Sequence, residues 1–444
     1  MNPGAPRPSN LDQRARFAIR QAYKQTGRLI ESLRKNVERG KHGKAMQKQR
    51  VLMRSRAAKL VALHMANRRL KPKYRVHRTF LVELADQLDV WQADDEIVRL
   101  KIEKKEGGRG YRPILSFGLR HKARQYLCVM ALRPFIEPHL RPTQFERLGR
   151  DRAALEIADR FVEGSAKFAL ECDIREFYLH VGAAPDGRLR RGMDAATAIS
   201  EWLPLPTEVI LSTVLADTFN IVDNVHTIPR TDPVSLTFLS RAGIPQGSPL
   251  SSAIAEFIVA LLLTDAVALG DCKDAFISYA DNIAVLGNTK HDVKAVQRTL
   301  ERSLERCSYG YFRLKHPYKK VRRYDHGFDF LGFQIRKRRG TTNISPSEKA
   351  RKKFQERTKQ LVKLTRTSSW VRPERREAAV LHLLNYLRSW TAAHGVSEHI
   401  DAYVYRSAIQ HAGKINPVLS TTIRSECARR YDPALLQRWR FLTN

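Results

Sequence analysis

Paired cysteines are missing from this 444-residue chain. Its five, Cys128, Cys172, Cys272, Cys307 and Cys427, are scattered, odd in number and never spaced as CxxC. That excludes a disulfide framework or zinc finger and leaves buried or free thiols in a reducing cytosol. Acidic residues are scarce, 45 Asp and Glu against 79 Lys and Arg, for a formal net charge of +34. A cationic partner is excluded by that imbalance and a polyanionic one is expected, nucleic acid before any other. By run length no segment reads as a bilayer span or a secretory h-region, so a soluble cytoplasmic protein without a membrane partner is expected. Internal repeats and low-complexity tracts are also lacking. What is present is 43% hydrophobic residues, enough for a large core shared by two or three subdomains.

The charge is concentrated at one end. Residues 1–75 hold 21 Lys and Arg against Asp12, Glu31 and Glu38, so they supply 21 − 3 = +18 of the net charge. Apolar residues recur there at helical spacing (Phe17, Ile19, Leu29, Leu33, then Val51, Leu52, Leu60, Leu63), broken near Gly40-Lys41-His42-Gly43. Two basic helices joined by a glycine turn are expected, and repulsion within so one-signed a segment points to phosphate contacts rather than a merely solvated face. Residues 76–340 change to mixed apolar runs with Gly and Pro punctuation. From Ser345 onward the pattern is helical, carried by Leu361, Leu364, Val380, Leu381, Leu383, Leu384, Leu387 and Trp390, with interruptions at Val371-Arg372-Pro373 and His394-Gly395. The expected fold class is α+β, with segments 1–75, 76–340 and 341–444.

Three segments of the mixed region carry chemistry. In Phe276-Ile277-Ser278-Tyr279-Ala280-Asp281-Asn282-Ile283-Ala284-Val285-Leu286 two apolar runs flank a polar tip, as in a hairpin of buried strands presenting a carboxylate. An ordinary Asp-Asn turn reads alike. A second carboxylate, Asp173, sits in similar company within Phe168–Tyr178, 108 residues earlier (281 − 173), and two strand-borne aspartates could share one metal site. Between them lies Ala242-Gly243-Ile244-Pro245-Gln246-Gly247-Ser248-Pro249-Leu250-Ser251. Its glycines permit close backbone approach, Gln246 offers an amide, and the helix that follows aims its N-terminus at whatever lies in the turn.

In this order the segments resemble the palm of reverse transcriptases. Phe168–Tyr178 looks like the first catalytic motif, Gly243–Ser251 matches the GxPQGSPLS loop, and Tyr279-Ala280-Asp281-Asn282 is a variant of the YxDD box. Lys104-Lys105-Glu106-Gly107-Gly108 with Tyr111-Arg112-Pro113-Ile114 is similar to the fingers motif. Leu314-Lys315-His316-Pro317-Tyr318-Lys319-Lys320 and Phe328–Phe333 resemble the next palm motifs, and Leu384-Asn385-Tyr386-Leu387-Arg388-Ser389-Trp390 resembles a thumb helix. The resemblance covers roughly residues 95 to 410 and is nearest to bacterial group II intron-like, retron and abortive-infection or other defence-associated enzymes.

The resemblance implies a right-hand polymerase: a basic helical N-terminal extension (1–75), fingers and palm on an antiparallel sheet (76–340), and a helical thumb with a short tail (341–444). It implies attack of a primer 3′-hydroxyl on the α-phosphate of a dNTP with two Mg²⁺ ions, or Mn²⁺ in their place. Asp173, Asp281 and the carbonyl of Ile174 would be the ligands, all hard oxygens. Lys104, Lys105 and Arg112 would neutralise the triphosphate, Gln246 and Gly247 would contact the nucleotide, Tyr178 would block a ribose 2′-hydroxyl, and Lys319 would protonate pyrophosphate. Asn282 departs from the family's second aspartate, keeping an oxygen ligand while losing a full charge. RNA as template or scaffold, a DNA product or RNA–DNA duplex, and either a homo-oligomer or a companion reverse transcriptase are the implied partners, in a bacterial cytoplasm and in antiphage defence. Two alternatives stay open: a catalytically weak or inactive nucleic-acid-binding scaffold, and an intron maturase. The second is disfavoured because the residues after the thumb-like helix are too few for a further RNA-binding domain and an endonuclease.

Overall fold

The computed structural model describes residues 10–104, 111–223, 241–270, 272, 274–316, 319–338, 341–367, 373–397, 400–414 and 417–430. The chain divides into two units, each assembled from three stretches: Met1–Gln144, Asp173–Cys272 and Arg298–His316 in one, Phe145–Cys172, Lys273–Gln297 and Pro317–Asn444 in the other. In chain order the strands are β1 Val98–Lys104, β2 Tyr111–Ser116, β3 Phe168–Asp173, β4 Ile221–Asp223, β5 Phe276–Tyr279, β6 Asn282–Gly287, β7 Arg322–Arg323, β8 Phe328–Phe330, β9 Phe333–Arg338 and β10 Thr341–Pro346. Helices surround them, so helix and sheet are mixed, as the texture of the sequence implied.

The first unit opens with three helices where two were expected: Asn10–Glu38, His42–Arg54 and Arg56–Arg69. The glycine turn falls where it was read, with Gly40 at φ +65° closing the first helix. The further break is Ser55, extended at φ −65° and ψ 123°, whose carbonyl accepts the first hydrogen bond of the third helix from Lys59 N–H. Ile19, Leu33, Leu52, Leu60 and Leu63 are buried, whereas Phe17 and Val51 face outward. Helix Arg56–Arg69 packs between Asn10–Glu38 and Leu119–Ile136. The latter is capped at its N-terminus by Glu96, whose carboxylate accepts from the N–H groups of Arg120 (3.1 Å) and His121 (2.8 Å), placing negative charge at the positive end of the helix.

Gln49 is fully buried, and its Nε2 donates to the carbonyls of Ala131 (3.2 Å) and Pro204 (2.6 Å). Replacing it with leucine removes the side-chain donor from one buried and one half-buried carbonyl, so Gln49→Leu is expected to cost about 1–3 kcal/mol in a urea titration of the full chain. A loss indistinguishable from zero would mean that water reaches both carbonyls.

The small sheet of this unit runs β2-β1-β4. Strand β1 pairs antiparallel with β2 from Arg99↔Ser116 to Lys104↔Tyr111, and parallel with β4. Val98, Leu100, Leu115, Phe117, Ala216 and Phe219 form the core against it. Helix Pro249–Leu269 overturns one expectation, because its 21 residues include an 18-residue window of mean hydropathy 2.0 and are long and apolar enough to cross a membrane. Run length hid this, since Glu256 and Asp265 interrupt the apolar run without lowering its average far. A little over half of the helix is buried inside its unit, and a core helix needs much the same composition as one in lipid.

In the second unit a four-stranded sheet runs β5-β6-β3-β7, with Asp173, the last residue of β3, counted in the first unit. A three-stranded meander β8-β9-β10 lies in the same unit. Ala154, Ile157 and Phe161 of helix Arg150–Val162 pack with Ile277, Ala284, Phe328, Phe333 and Ile335. Helices Glu348–Thr367, Pro373–Ala393, Ile400–Gly413 and Pro417–Arg430 complete the unit around Phe354, Leu361, Leu383, Leu387, Val404 and Ile423. Leu364 and Leu381 are exposed. Cys128, Cys172, Cys272 and Cys307 are free thiols, in line with the scattered cysteine pattern.

Candidate active site

Strands β5 and β6 pair antiparallel from Phe276↔Val285 to Tyr279↔Asn282, which leaves Ala280-Asp281 as a two-residue turn. The burial that drives this is complete on both strands: Phe276, Ile277, Ile283, Ala284 and Val285 are 0% exposed. Ala280 takes φ +52°, a conformation usually left to glycine in tight hairpins. Asp281 and Asn282 are half-buried, and Asn282 Nδ2 donates weakly to Asp281 Oδ1 at 3.5 Å. Burial, reinforced by Glu146, pushes the Tyr279 phenol above its ordinary pKa, so it remains a neutral donor.

Asp173 ends strand β3. Its carbonyl accepts from Lys315 N–H at 2.9 Å and its Oδ2 from Lys315 Nζ at 3.3 Å. The strand-like contact continues through a bridge between Ile174 and Leu314 and a bond from Arg175 N–H to the carbonyl of Arg313. The Lys315 and Asp173 side chains remain 65% and 31% exposed, so the pair is weak and exchangeable. Two residues before Asp173, on the same face of the strand, Glu171 pairs with Lys319. Lys315 and Glu171 are the polar partners that reading the sequence missed. The alternation of buried Leu314 with exposed Lys315 is their only local trace.

The glycine loop is stitched to two other segments of its unit. Gly243 adopts φ +62°, and a Cβ there would lie 2.1 Å from the carbonyl oxygen of Tyr178. Next to it Ile244 N–H donates to that same oxygen at 2.9 Å. On the other side the Gln246 carbonyl accepts from Leu115 N–H of β2 at 2.9 Å, and a Cβ on Gly247 (φ +102°) would lie 2.5 Å from the Leu115 carbonyl. The loop therefore needs hydrogen at both positions. Ser248 then caps helix Pro249–Leu269, its Oγ accepting from the N–H groups of Leu250 and Ser251.

This arrangement fixes several of the residues singled out in the sequence. Tyr178 is half-buried and meets Phe177 edge to face at 5.6 Å, while Phe177 stacks on Phe312 at 4.9 Å. Arg112 is exposed on β2, three residues before the Leu115 that holds Gln246. Tyr178, Gln246, Gly247 and the strand of Arg112 are thus joined within one unit by backbone hydrogen bonds. Lys104 ends β1, and Lys105 lies outside the described residues. Lys319 is exposed and meets Glu171 in the second unit.

The candidate metal ligands are oxygen donors divided between the units, the carboxylate of Asp173 and the carbonyl of Ile174 in the first and the carboxylate of Asp281 and the amide of Asn282 in the second. That set suits a hard divalent cation. Among the described residues no group of three or more His, Cys, Asp or Glu gathers. In comparisons with known proteins, the family model described as Reverse transcriptase (RNA-dependent DNA polymerase) matches residues 102–335, more than half of the chain. No curated protein matches it.

Proposed function

The chain belongs to the reverse transcriptase family of RNA-dependent DNA polymerases, and from that premise we propose that it extends a primer 3′-hydroxyl with dNTPs by two-metal nucleotidyl transfer. The observation that carries this reading is the backbone stitching of the Gly243–Gly247 loop to Tyr178 and to β2. It supports a pre-organised pocket in which Arg112 presents its planar fork to a triphosphate, Gln246 and Gly247 meet the nucleotide, and the Tyr178 ring stands against a 2′-hydroxyl. Lys104 and Lys105 add positive charge to the triphosphate in this reading.

Asp173 and Asp281, with the Ile174 carbonyl, would hold Mg²⁺ or Mn²⁺. Such ions when bound supply Lewis-acid charge at the phosphate oxygens. Asn282 contributes an oxygen without charge, which predicts weaker metal retention than two adjacent carboxylates give. Lys315 meets only Oδ2 of the Asp173 carboxylate, so Oδ1 would be the oxygen offered to an ion, and Lys319 would have to leave Glu171 to give a proton to departing pyrophosphate.

In this reading β1 and β2 belong to fingers, β3, β5, β6 and helix Pro249–Leu269 to a palm, and residues 341–444 to a helical thumb and tail, in a right-hand arrangement with residues 1–75 as a basic extension. The motifs support placement near bacterial group II intron-like and retron enzymes, acting in the cytoplasm with a noncoding RNA, alone or beside a companion polymerase, in antiphage defence. Asn282 and the pairing of Lys315 with Asp173 favour a second reading, a nucleic-acid-binding scaffold of low activity.

The deciding experiment supplies purified protein and its co-purifying RNA with Mg²⁺ and each dNTP, separately and together, with NTPs in parallel. The polymerase reading expects deoxynucleotide incorporation and little ribonucleotide use. Absence of incorporation with Mg²⁺ and with Mn²⁺, on added primer–templates as well, would sink it in favour of the scaffold.

A further inference from the structure

Helix Asn10–Glu38 carries a cationic stripe directly opposite its buried face. At about 100° per residue, buried Ala15, Ile19, Ala22, Thr26 and Leu33 centre on one side. Phe17, Arg20, Lys24, Arg28 and Lys35 fall within about 50° of the opposite direction and Arg14 within about 75°. All six are exposed, and Phe17 is 63% exposed. The cations span 21 residues, about 32 Å of helix.

A solvated face does not explain this stripe. Arg20, Lys24 and Arg28 follow one another at i, i+4, where like charges destabilise a helix. Neither they nor Arg14 form an ion pair among the described residues, whereas Lys35 meets Glu31 at 3.7 Å. The neighbouring Arg16 and Arg34 are paired, with Asp12 and with Glu31 and Glu137; Glu31 shares the face of Lys35, whereas residues 14–28 of the stripe carry no acid. Its C-terminal half borders an open hollow of about 450 Å³ lined by Arg28, Glu31, Ser32, Lys35, Asn36 and Arg39. An exposed phenyl ring between Arg14 and Arg20 of a cation track has no use in binding phosphate alone. It is what stacking on an unpaired base requires.

We propose that this helix face is a track for single-stranded RNA, separate from the matched domain that begins at residue 102. Phosphates lie on Arg14, Arg20, Lys24, Arg28 and Lys35, and a base stacks on Phe17. The track itself follows from charge and exposure; the choice of RNA over DNA rests on the RNA-dependent polymerase reading.

The test is equilibrium binding of the full chain to a labelled oligouridylate, to its deoxy counterpart and to duplex RNA over a range of salt, without dNTPs. The triple variant Arg20→Gln/Lys24→Gln/Arg28→Gln is expected to bind at least about tenfold more weakly at low salt. Its dependence of log affinity on log salt should flatten by about 2, since each single-strand phosphate contact contributes roughly 0.7. Phe17→Ala is expected to weaken oligouridylate binding about 5-fold or more and to leave duplex binding unchanged. The charge-retaining Arg20→Lys/Arg28→Lys should keep the salt slope, and thermal melts of the triple variant should match or exceed wild type as like-charge repulsion is removed. Unchanged affinity and slope in the triple variant would overturn the track. No effect of Phe17→Ala would overturn single-strand recognition, and equal losses on the deoxy strand would overturn the assignment to RNA. Because no nucleotide is incorporated, failure of the polymerase reading leaves the binding result standing.

Discussion

Gly243→Ala should destabilise the protein by about 2–4 kcal/mol, more than a glycine-to-alanine change in an open turn. Two costs add. A residue with a side chain at φ +62° is strained by about 1 kcal/mol. In addition, a Cβ placed 2.1 Å from the Tyr178 carbonyl oxygen and 2.5 Å from that of Leu179 must displace backbone, a forced overpacking of about 1–3 kcal/mol. Gly40→Ala is the matched control, because Gly40 has φ +65° with nothing within 4 Å of its would-be Cβ. It should cost only the conformational part. Paired denaturant titrations separate the two, and equal losses would show that the loop is not packed against Tyr178. The same displacement moves Tyr178 and breaks its bond to Ile244, so nucleotide incorporation should vanish in Gly243→Ala even at temperatures where the variant is folded.

The second large effect concerns the carboxylates. Asp281→Ala and Asp173→Ala are each expected to lower incorporation by on the order of a thousandfold or more, the rate equivalent of losing several kcal/mol of metal-borne stabilisation. Asn282→Asp should act in the opposite sense, restoring one negative charge without changing the shape of the turn. The expected result is about tenfold less Mg²⁺ for half-maximal incorporation, since affinity for hard cations follows the number of charged ligands. Mn²⁺ binding followed by its electron paramagnetic resonance signal checks the same shift without any turnover. An unaltered metal requirement in Asn282→Asp would place Asn282 outside the metal shell, and full activity in Asp281→Ala would remove the hairpin from catalysis altogether.

How much of this was legible in the residues depended on the range of the interaction. The β5–β6 hairpin was, because two apolar runs around a polar pair already specify which residues turn and which are buried. The glycine loop entering helix Pro249–Leu269 was legible from Gly, Pro and Ser at the positions such a turn requires. The break at Ser55 was missed because helical period continues across it; only the cap residue marks it. Periodicity also left Phe17 and Val51 ambiguous, since spacing identifies an apolar stripe without saying which of its margins meets a neighbour. Lys315 on Asp173 and Lys319 on Glu171 join residues more than 140 positions apart (315 − 173 and 319 − 171). No local pattern encodes such pairs; they follow from the path of the segment after Phe312 beside β3.

The interleaving of the two units along the chain bears on synthesis. The first unit is not complete until Arg298–His316 has emerged, and the second needs the stretch from Pro317 onward. A nascent chain on the ribosome therefore carries unfinished apolar surface from both units for most of translation, the circumstance in which chaperone demand and aggregation are greatest. A single cut anywhere between Asp173 and Gln297 leaves parts of both units on each side. Neither fragment holds a whole unit, so no single cut in that stretch releases a piece able to fold as one of the two units.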